Sequence, residues 1–310
     1  SPSSISPSSA SFITMPTSVS VAFDESILAS SVTASDLGVS GTCATLPTVS
    51  VANVAGSVVT FTLNGTNCND GETIIISALG SDVTDLSGNI GANNQTATYT
   101  SDLTGPSVLS FSPATSTVIS IPTLINITFN ETLSAASVIA ADFTVGGTCQ
   151  TLPTHSISSI SGQQVIINLS GAVCNNNETI ILTVLNSGIN DTIGNAGSGI
   201  SDVTYTIDNT GPRISNITPN TGAPPTAIAV SFSETLNPST VSLADFSLGG
   251  TCLTKTLNLV SIVNNTVNIE IAGGVCGSGE TVTITIDASG IVDTIGNAGT
   301  GTSFVTYTEL

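Results

Sequence analysis

The stretch Asn176–Asn195, NNETIILTVLNSGINDTIGN, occurs three times in the chain. Its counterparts are Asp70–Asn89, DGETIIISALGSDVTDLSGN, and Ser278–Asn297, SGETVTITIDASGIVDTIGN, and the three align without a gap. Each opens on β-branched and apolar residues, which suit a pleated, half-buried strand. Each closes on Asp-x-x-Gly-Asn, the residue types that turn a chain tightly. A strand followed by a turn, recurring about every 100 residues, marks a repeated β domain.

Matched landmarks extend outward from this stretch. Upstream stand Val21-Ala-Phe-Asp-Glu25, Ile127-Thr-Phe-Asn-Glu131 and Val230-Ser-Phe-Ser-Glu234. Asp36-Leu, Asp142-Phe and Asp245-Phe follow, then Gly-Thr-Cys in all three copies. The junctions are Asp102-Leu-Thr-Gly-Pro106 and Asp208-Asn-Thr-Gly-Pro212. The landmarks divide the chain into repeats at 1–103, 104–209 and 210–310. In the second repeat the strands expected are Val108–Phe111, Thr123–Phe129, Asp142–Val145, Thr154–Ile160, Gln164–Leu169, Glu178–Leu185 and Asp202–Ile207. Short strands with turn signals between them, in about 100 residues, are the pattern of an Ig-like sandwich. The absence of Trp removes the antibody-type Cys–Trp–Cys core. The fold expected is all-β: three tandem Ig-like β-sandwich domains, arranged as an elongated rod because the five-residue linkers are too short to fold them side by side.

Composition narrows the function. The chain of 310 residues carries 21 acidic side chains against 2 basic ones, Arg213 and Lys255, for a net charge of −19. Affinity for phosphate comes from cationic side chains, so nucleic acid and anionic membrane surfaces are excluded as partners. No apolar run approaches a membrane span, because Ser, Thr, Asn or Gly interrupts each one. Mean hydropathy is positive although only 7% of residues are charged, which argues against global disorder. No basic segment precedes an apolar core at the N-terminus, so any signal peptide is expected to be removed or to lie outside this sequence. The phase of the repeats gives the expectation of a whole number of units, excised from a longer array or forming a polymerising subunit.

Six cysteines permit 15 pairings. The repeat selects Cys43–Cys68, Cys149–Cys174 and Cys252–Cys276, because each copy must satisfy itself. Closing a loop of this length stabilises a domain by roughly 3 kcal/mol in the loop-entropy model. Disulfides at this density point to an oxidising compartment, extracellular or at the cell surface. Zinc is the rival reading, but one Cys pair per repeat and no repeated His cannot supply four ligands.

The carboxylates converge if the domains are sandwiches. The turn after the second strand and the loop before the last strand both lie at the N-terminal pole, where the incoming linker also arrives. Glu131, Asp191 and Asn195 should then meet Asp102 at the first junction. Glu234, Asp293 and Asn297 should meet Asp208 at the second. Hard oxygen ligands of this kind suit structural, interdomain calcium. Turn chemistry is the other reading: Asp-x-x-Gly-Asn is a good tight-turn sequence, and Asp142 can bond the amides of its own loop. The first repeat has no incoming linker Asp, so Glu25, Asp85 and Asn89 would form an incomplete site.

The order Phe-x-Glu, Asp-Phe, Asp-x-x-Gly-Asn, Tyr-Thr and Asp-x-Thr-Gly-Pro resembles the bacterial Ig-like repeats of giant surface adhesins and motility-associated surface proteins. The resemblance covers all three repeats. It implies a β-sandwich stalk outside the cell, with calcium at some domain junctions. The Cys pair, which many members lack, is a departure.

No catalytic constellation stands out. His155 is the only histidine and aligns with Val49 and Asn258, so a strand or loop surface is its expected place. No Gly-x-Ser-x-Gly elbow, Walker or dinucleotide motif is present. Paired acids recur at every junction, whereas an active site breaks repeat symmetry. The expected function is a non-catalytic extracellular module forming the stalk of a bacterial surface fibre or adhesin, whose partners are neighbouring repeats. Alternatives are a subunit of a homopolymeric filament, joined end to end to identical subunits, and a module that binds a glycan or cell-surface receptor. Tyr99, Tyr205 and Tyr307 occupy equivalent positions and look structural, which leaves few aromatics for a glycan platform.

Overall fold

Along Leu124–Phe129 the side chains alternate between solvent and interior, with Ile125, Ile127 and Phe129 completely buried. Ser18–Phe23 and Ala227–Phe232 bury Val19, Val21 and Phe23, and Ile228, Val230 and Phe232, in the same rhythm. A period of two sends alternate side chains to opposite faces of a sheet, so each of these strands can have one wet face and one packed face.

The computed structural model describes residues 1–310, with strands, short 3-10 turns and no α-helix. The first repeat contains β1 (Pro2–Ser6), β2 (Ala10–Phe12), β3 (Ser18–Phe23), β4 (Leu37–Gly41), β5 (Thr48–Ala55), β6 (Val58–Asn64), β7 (Thr73–Leu79) and β8 (Asn94–Ser101). The second contains β9 (Val108–Ser112), β10 (Ser116–Val118), β11 (Leu124–Phe129), β12 (Phe143–Gly147), β13 (Thr154–Ser161), β14 (Gln164–Ser170), β15 (Thr179–Leu185) and β16 (Ile200–Ile207). The third contains β17 (Ile214–Thr218), β18 (Ala227–Phe232), β19 (Phe246–Gly250), β20 (Lys255–Val263), β21 (Thr266–Gly273), β22 (Thr281–Asp287) and β23 (Thr302–Thr308).

Two sheets form in each repeat. Their strand orders are β1-β3-β6-β5 with β2-β8-β7-β4, then β9-β11-β14-β13 with β10-β16-β15-β12, then β17-β18-β21-β20 with β19-β22-β23. Between the sheets of each pair lies a separate apolar core, built around Phe61, Phe129 and Phe232 respectively. Tyr99, Tyr205 and Tyr307 are completely buried. Their hydroxyls donate to the carbonyl oxygens of Pro7 (2.8 Å), Pro113 (2.6 Å) and Pro219. The tyrosines therefore staple the last strand of each repeat to the segment that follows its first strand.

All six cysteines are paired as Cys43–Cys68, Cys149–Cys174 and Cys252–Cys276. Each bond ties the loop after β4, β12 or β19 to the loop before β7, β15 or β22.

Three details differ from the sequence reading. The short strands β2 and β10 are additional, and they pair in parallel with β8 and β16. At three residues each they are too short to show a periodicity. Asp142 is not in a strand but closes a 3-10 turn, where its Oδ2 accepts from the Ile139 amide at 2.7 Å. His155 faces Leu169 across the sheet, and the counterpart of Leu169, Ile271, faces Leu257. Leu257 rather than Asn258 is thus the match for His155, because the third disulfide loop is one residue shorter, 24 against 25.

Candidate functional site

The junction site begins with a backbone bridge. Leu133, just past the Phe-x-Glu turn, pairs with Asp191, and Leu236 pairs with Asp293. These bridges hold Glu131 and Glu234 against the Asp-x-x-Gly-Asn loops.

Within the first loop Asp191 Oδ1 accepts from the amides of Ile193 (2.9 Å), Gly194 (2.6 Å) and Asn195 (2.9 Å). Asn195 Nδ2 donates to the other carboxylate oxygen at 2.9 Å. Asp293 makes the same set with Ile295, Gly296 and Asn297. Three amides aimed at one oxygen are the tight-turn chemistry foreseen for this motif.

The incoming linker docks on this loop. Asn195 Nδ2 also donates to the Asp102 carbonyl at 2.9 Å, and Asn297 Nδ2 donates to the Asp208 carbonyl at 2.8 Å. A Cβ on linker residue Gly105 would lie 2.1 Å from the Ala196 carbonyl oxygen, and one on Gly211 would lie 1.9 Å from that of Ala298. Linker glycine is therefore a packing requirement. The Thr-Gly-Pro segment is thus seated on the following repeat. Apolar contacts add to the seat, since Ile13 reaches Gly194 and Ile119 reaches Gly296.

These placements gather Asp102, Glu131 and Asp191 into one cluster, and Asp208, Glu234 and Asp293 into another. In each, the carboxylate oxygens lie within 4.8 Å of one another. Asn195 and Asn297 stand beside them, but their amide nitrogens serve the linker and the turn. Burial and the nearby Asp102 and Asp191 charges push the Glu131 carboxyl up from its ordinary range. Burial, Asp208 and Asp293 do the same for Glu234. Asp102 is raised, chiefly by burial. At Asp293 burial acts upward, but the Asn297, Gly296 and Ile295 donors outweigh it and the carboxyl is lowered. Glu131 Oε1 is buried with no hydrogen-bond partner. The single ion pair in the chain joins the Ser1 amino group to Asp24, so neither cluster is neutralised by a basic side chain.

The first repeat does not assemble such a cluster. Asp85 holds its turn through the Ser87 and Asn89 amides, while Glu25 and Asn89 are exposed. One participant escaped the sequence reading. Asp70 Oδ1 accepts from the Leu103 amide at 2.7 Å and adds its charge to Asp102 and Glu131. Its equivalent Asn176 caps the Asn209 amide at 3.0 Å. The alignment of Asp70-Gly-Glu with Asn176-Asn-Glu held that signal. The acidic groups near Cys149–Cys174 and Cys252–Cys276 are different in kind, because their sulfurs are consumed in disulfides. There Glu178 simply accepts from the Asn175 and Gln150 amides.

A family model described as bacterial Ig-like domain matches residues 102–207 and 208–308. The chain belongs to the bacterial Ig-like domain family. The family unit starts at Asp102 and at Asp208, two residues before the boundaries drawn from the repeats. That start assigns each linker Asp to the bacterial Ig-like domain on which the linker is seated. No curated protein matches the chain. Among solved structures it is similar to the S-layer protein SbsC, at 13% identity and a TM-score of 0.24, over 100% of this chain and 54% of that one. A titin segment matches at 6% identity and a TM-score of 0.31, over 98% and 97%. The plexin A4 extracellular region matches at 9% identity and a TM-score of 0.30, over 94% and 33%. The chain thus spans about half the length of the S-layer protein it resembles.

Proposed function

We propose that this chain is a non-catalytic extracellular spacer whose bacterial Ig-like repeats are joined end to end into an elongated stalk, as part of a bacterial surface fibre or adhesin. The observation that carries the reading is the repetition of one seated linker at both junctions, with Asn195 on Asp102 and Asn297 on Asp208. A junction that is built twice from the same parts is a structural device. Catalysis would single out one repeat. His155 supports this, because its ring is bonded at 3.1 Å to the Ala140 carbonyl on a strand surface. The three disulfides support an oxidising, extracellular location.

Calcium at the two junctions belongs to the same reading. At the first junction the buried Glu131 Oε1, without a donor and beside two further carboxylates, fits a hard cation that takes oxygen ligands, and the second junction repeats the three carboxylates although Glu234 there accepts from the Ser233 hydroxyl. Asp102, Glu131 and Asp191 would hold it at the first junction, and Asp208, Glu234 and Asp293 at the second. A bound ion would cancel their repulsion and fix the angle between neighbours. Small-angle scattering with calcium and then with chelator tests both parts. An extended profile in calcium that broadens on chelation is expected. A compact profile in both conditions overturns the stalk, and an extended profile indifferent to calcium overturns only the clamp.

A further inference from the structure

Of the nine phenylalanines and three tyrosines in the chain, Phe304 alone is exposed, at 70%. It stands on β23, three residues before the buried Tyr307. Thr96 and Asp202 hold the same place before Tyr99 and Tyr205. The ring is therefore a departure of the third repeat, in a chain whose other aromatics serve the three cores.

Phe304 borders a groove of about 300 Å³ along the seam between β17 and β23, which are edge strands of the two sheets. Two more departures line the same groove. Asn216 replaces Ser4 and Ser110, and Asn220 replaces Ser8 and Ala114. Strand register fixes the first match, since Asn216 faces Ser231, Ser110 faces Thr128 and Ser4 faces Ala22. The second follows from Pro219, Pro113 and Pro7, which each stand one residue earlier. The floor is apolar, from the buried Ile217 and Val305.

Polar groups that are engaged in the other repeats are free here. In the second repeat Asn186 Nδ2 donates to the Ser201 hydroxyl at 3.2 Å. Ala288 takes the place of Asn186 in the third, so the equivalent hydroxyl, on Ser303, has no such donor and lines the groove. The amides of Thr98 and Thr204 donate to the hydroxyls of Ser9 and Thr115; Thr306, their counterpart in the groove, makes no such bond. Asn216 Nδ2 bonds the Thr218 hydroxyl at 2.9 Å, which orients the amide and leaves its oxygen as an acceptor. None of the lining residues is charged.

We propose that this groove on the third repeat binds a neutral sugar ring of a glycan, with Phe304 as the stacking platform and Asn216, Asn220 and Ser303 as hydrogen-bonding partners. A pyranose offers an aliphatic C–H face to an aromatic ring and, at its rim, hydroxyls that both donate and accept. Side-chain amides and hydroxyls offer both roles in return. A few placed polar groups around an apolar floor are the usual form of a small-molecule site, and this volume lies at the lower end of their range of about 300–1,000 Å³. That suits a single ring and not a buried oligomer. The net charge of −19 works against anionic glycans, and a cationic ligand would find no carboxylate in the groove. The site is contained in one repeat, so it stands whether or not the repeats form a stalk.

The full chain, isotope-labelled, is titrated with maltotriose, cellotriose, mannotriose and triacetylchitotriose, and amide shifts are followed by NMR. At least one of these neutral sugars should shift residues 214–220 and 303–306 and leave Thr96, Asp202 and their neighbours unmoved. Phe304→Ala should weaken that binding at least about tenfold, equivalent to about 1.4 kcal/mol, whereas Phe304→Tyr should keep it. Asn220→Ala should weaken it as well. Both side chains are exposed, so the variants should keep the parent spectrum elsewhere. No shift with any of the four sugars, equal shifts in all three repeats, or undiminished binding by Phe304→Ala overturns the proposal. So does acetyl-trialanine amide binding the same residues more tightly than every sugar, which would make the groove a peptide site.

Discussion

Asn195 holds Asp102 by its backbone: the amide nitrogen of one repeat's loop donates to the carbonyl oxygen at the end of the preceding repeat. The same nitrogen bonds Asp191 Oδ2, so one side chain couples the shape of a turn to the seating of a linker. Asn195→Ala should cost the second repeat about 1–3 kcal/mol, since two hydrogen bonds of a buried group are lost. Asn297→Ala should do the same to the third repeat only. Chemical denaturation followed repeat by repeat, with scattering to report the junction angle, checks both.

Calcium dependence should be separable by junction. Asp102→Ala or Glu131→Ala should remove one bound ion per chain in calorimetry and leave the ion at Asp208, Glu234 and Asp293 in place. Asp85→Ala in the first repeat should not change the ion count, because Glu25 stands exposed and apart from it. Parent protein that releases no heat with calcium would remove the clamp and leave the seated linker as the whole junction.

In chelator the junctions should respond to pH in the direction set by Glu131 and Glu234. Both are raised in the folded chain above their ordinary value of 4.5, by burial and by neighbouring carboxylates. Between the ordinary value and the raised one the folded state binds more protons than the unfolded state. Stability therefore falls as pH rises through that window and recovers on acidification. Asp85 and Asp293 are lowered and act oppositely, losing their contribution at more acidic pH. Thermal melts in chelator should show the first effect, Glu131→Gln should flatten it at one junction, and calcium should suppress it.

Gly105→Ala places a methyl group 2.1 Å from a backbone oxygen that cannot swing away. A cost of about 1–3 kcal/mol is expected, the range for overpacking. The linker should also lift from Ala196, seen as faster amide exchange of Asn195 and Gly197. Gly56→Ala is the contrast, since a Cβ there meets nothing within 4 Å, although its φ of +61° adds local strain.

Much of this was legible in the primary structure because the sequence repeats itself. Matching three copies exposes the residues that recur in each, such as Cys149, Tyr205, Asp191, Gly194 and Asn195. It also gives the disulfide pairing without any geometry. Convergence of Asp102 with Glu131 followed from strand direction alone. What lay hidden was short or indirect. The strand Ser116–Val118 has too few residues for a period, and the role of Asp70 depends on a loop folding back to the outgoing linker. The docking of Gly105 could not be separated by composition from ordinary flexibility. The missing short strand of the third repeat corresponds in sequence only to a segment shortened from 114–123 to 220–226, and it leaves a three-stranded sheet.

The disulfides also set how far the chain can lengthen under tension. Load enters a repeat at one linker and leaves at the next, so an unfolded repeat extends along every residue between them except those inside a closed loop. Cys149 and Cys174 are 25 residues apart. At about 3.4 Å per extended residue, their bond withholds about 85 Å of slack from each rupture of that repeat. Reducing agent applied during stretching would return that length, converting a short-throw tether into a longer and more compliant one.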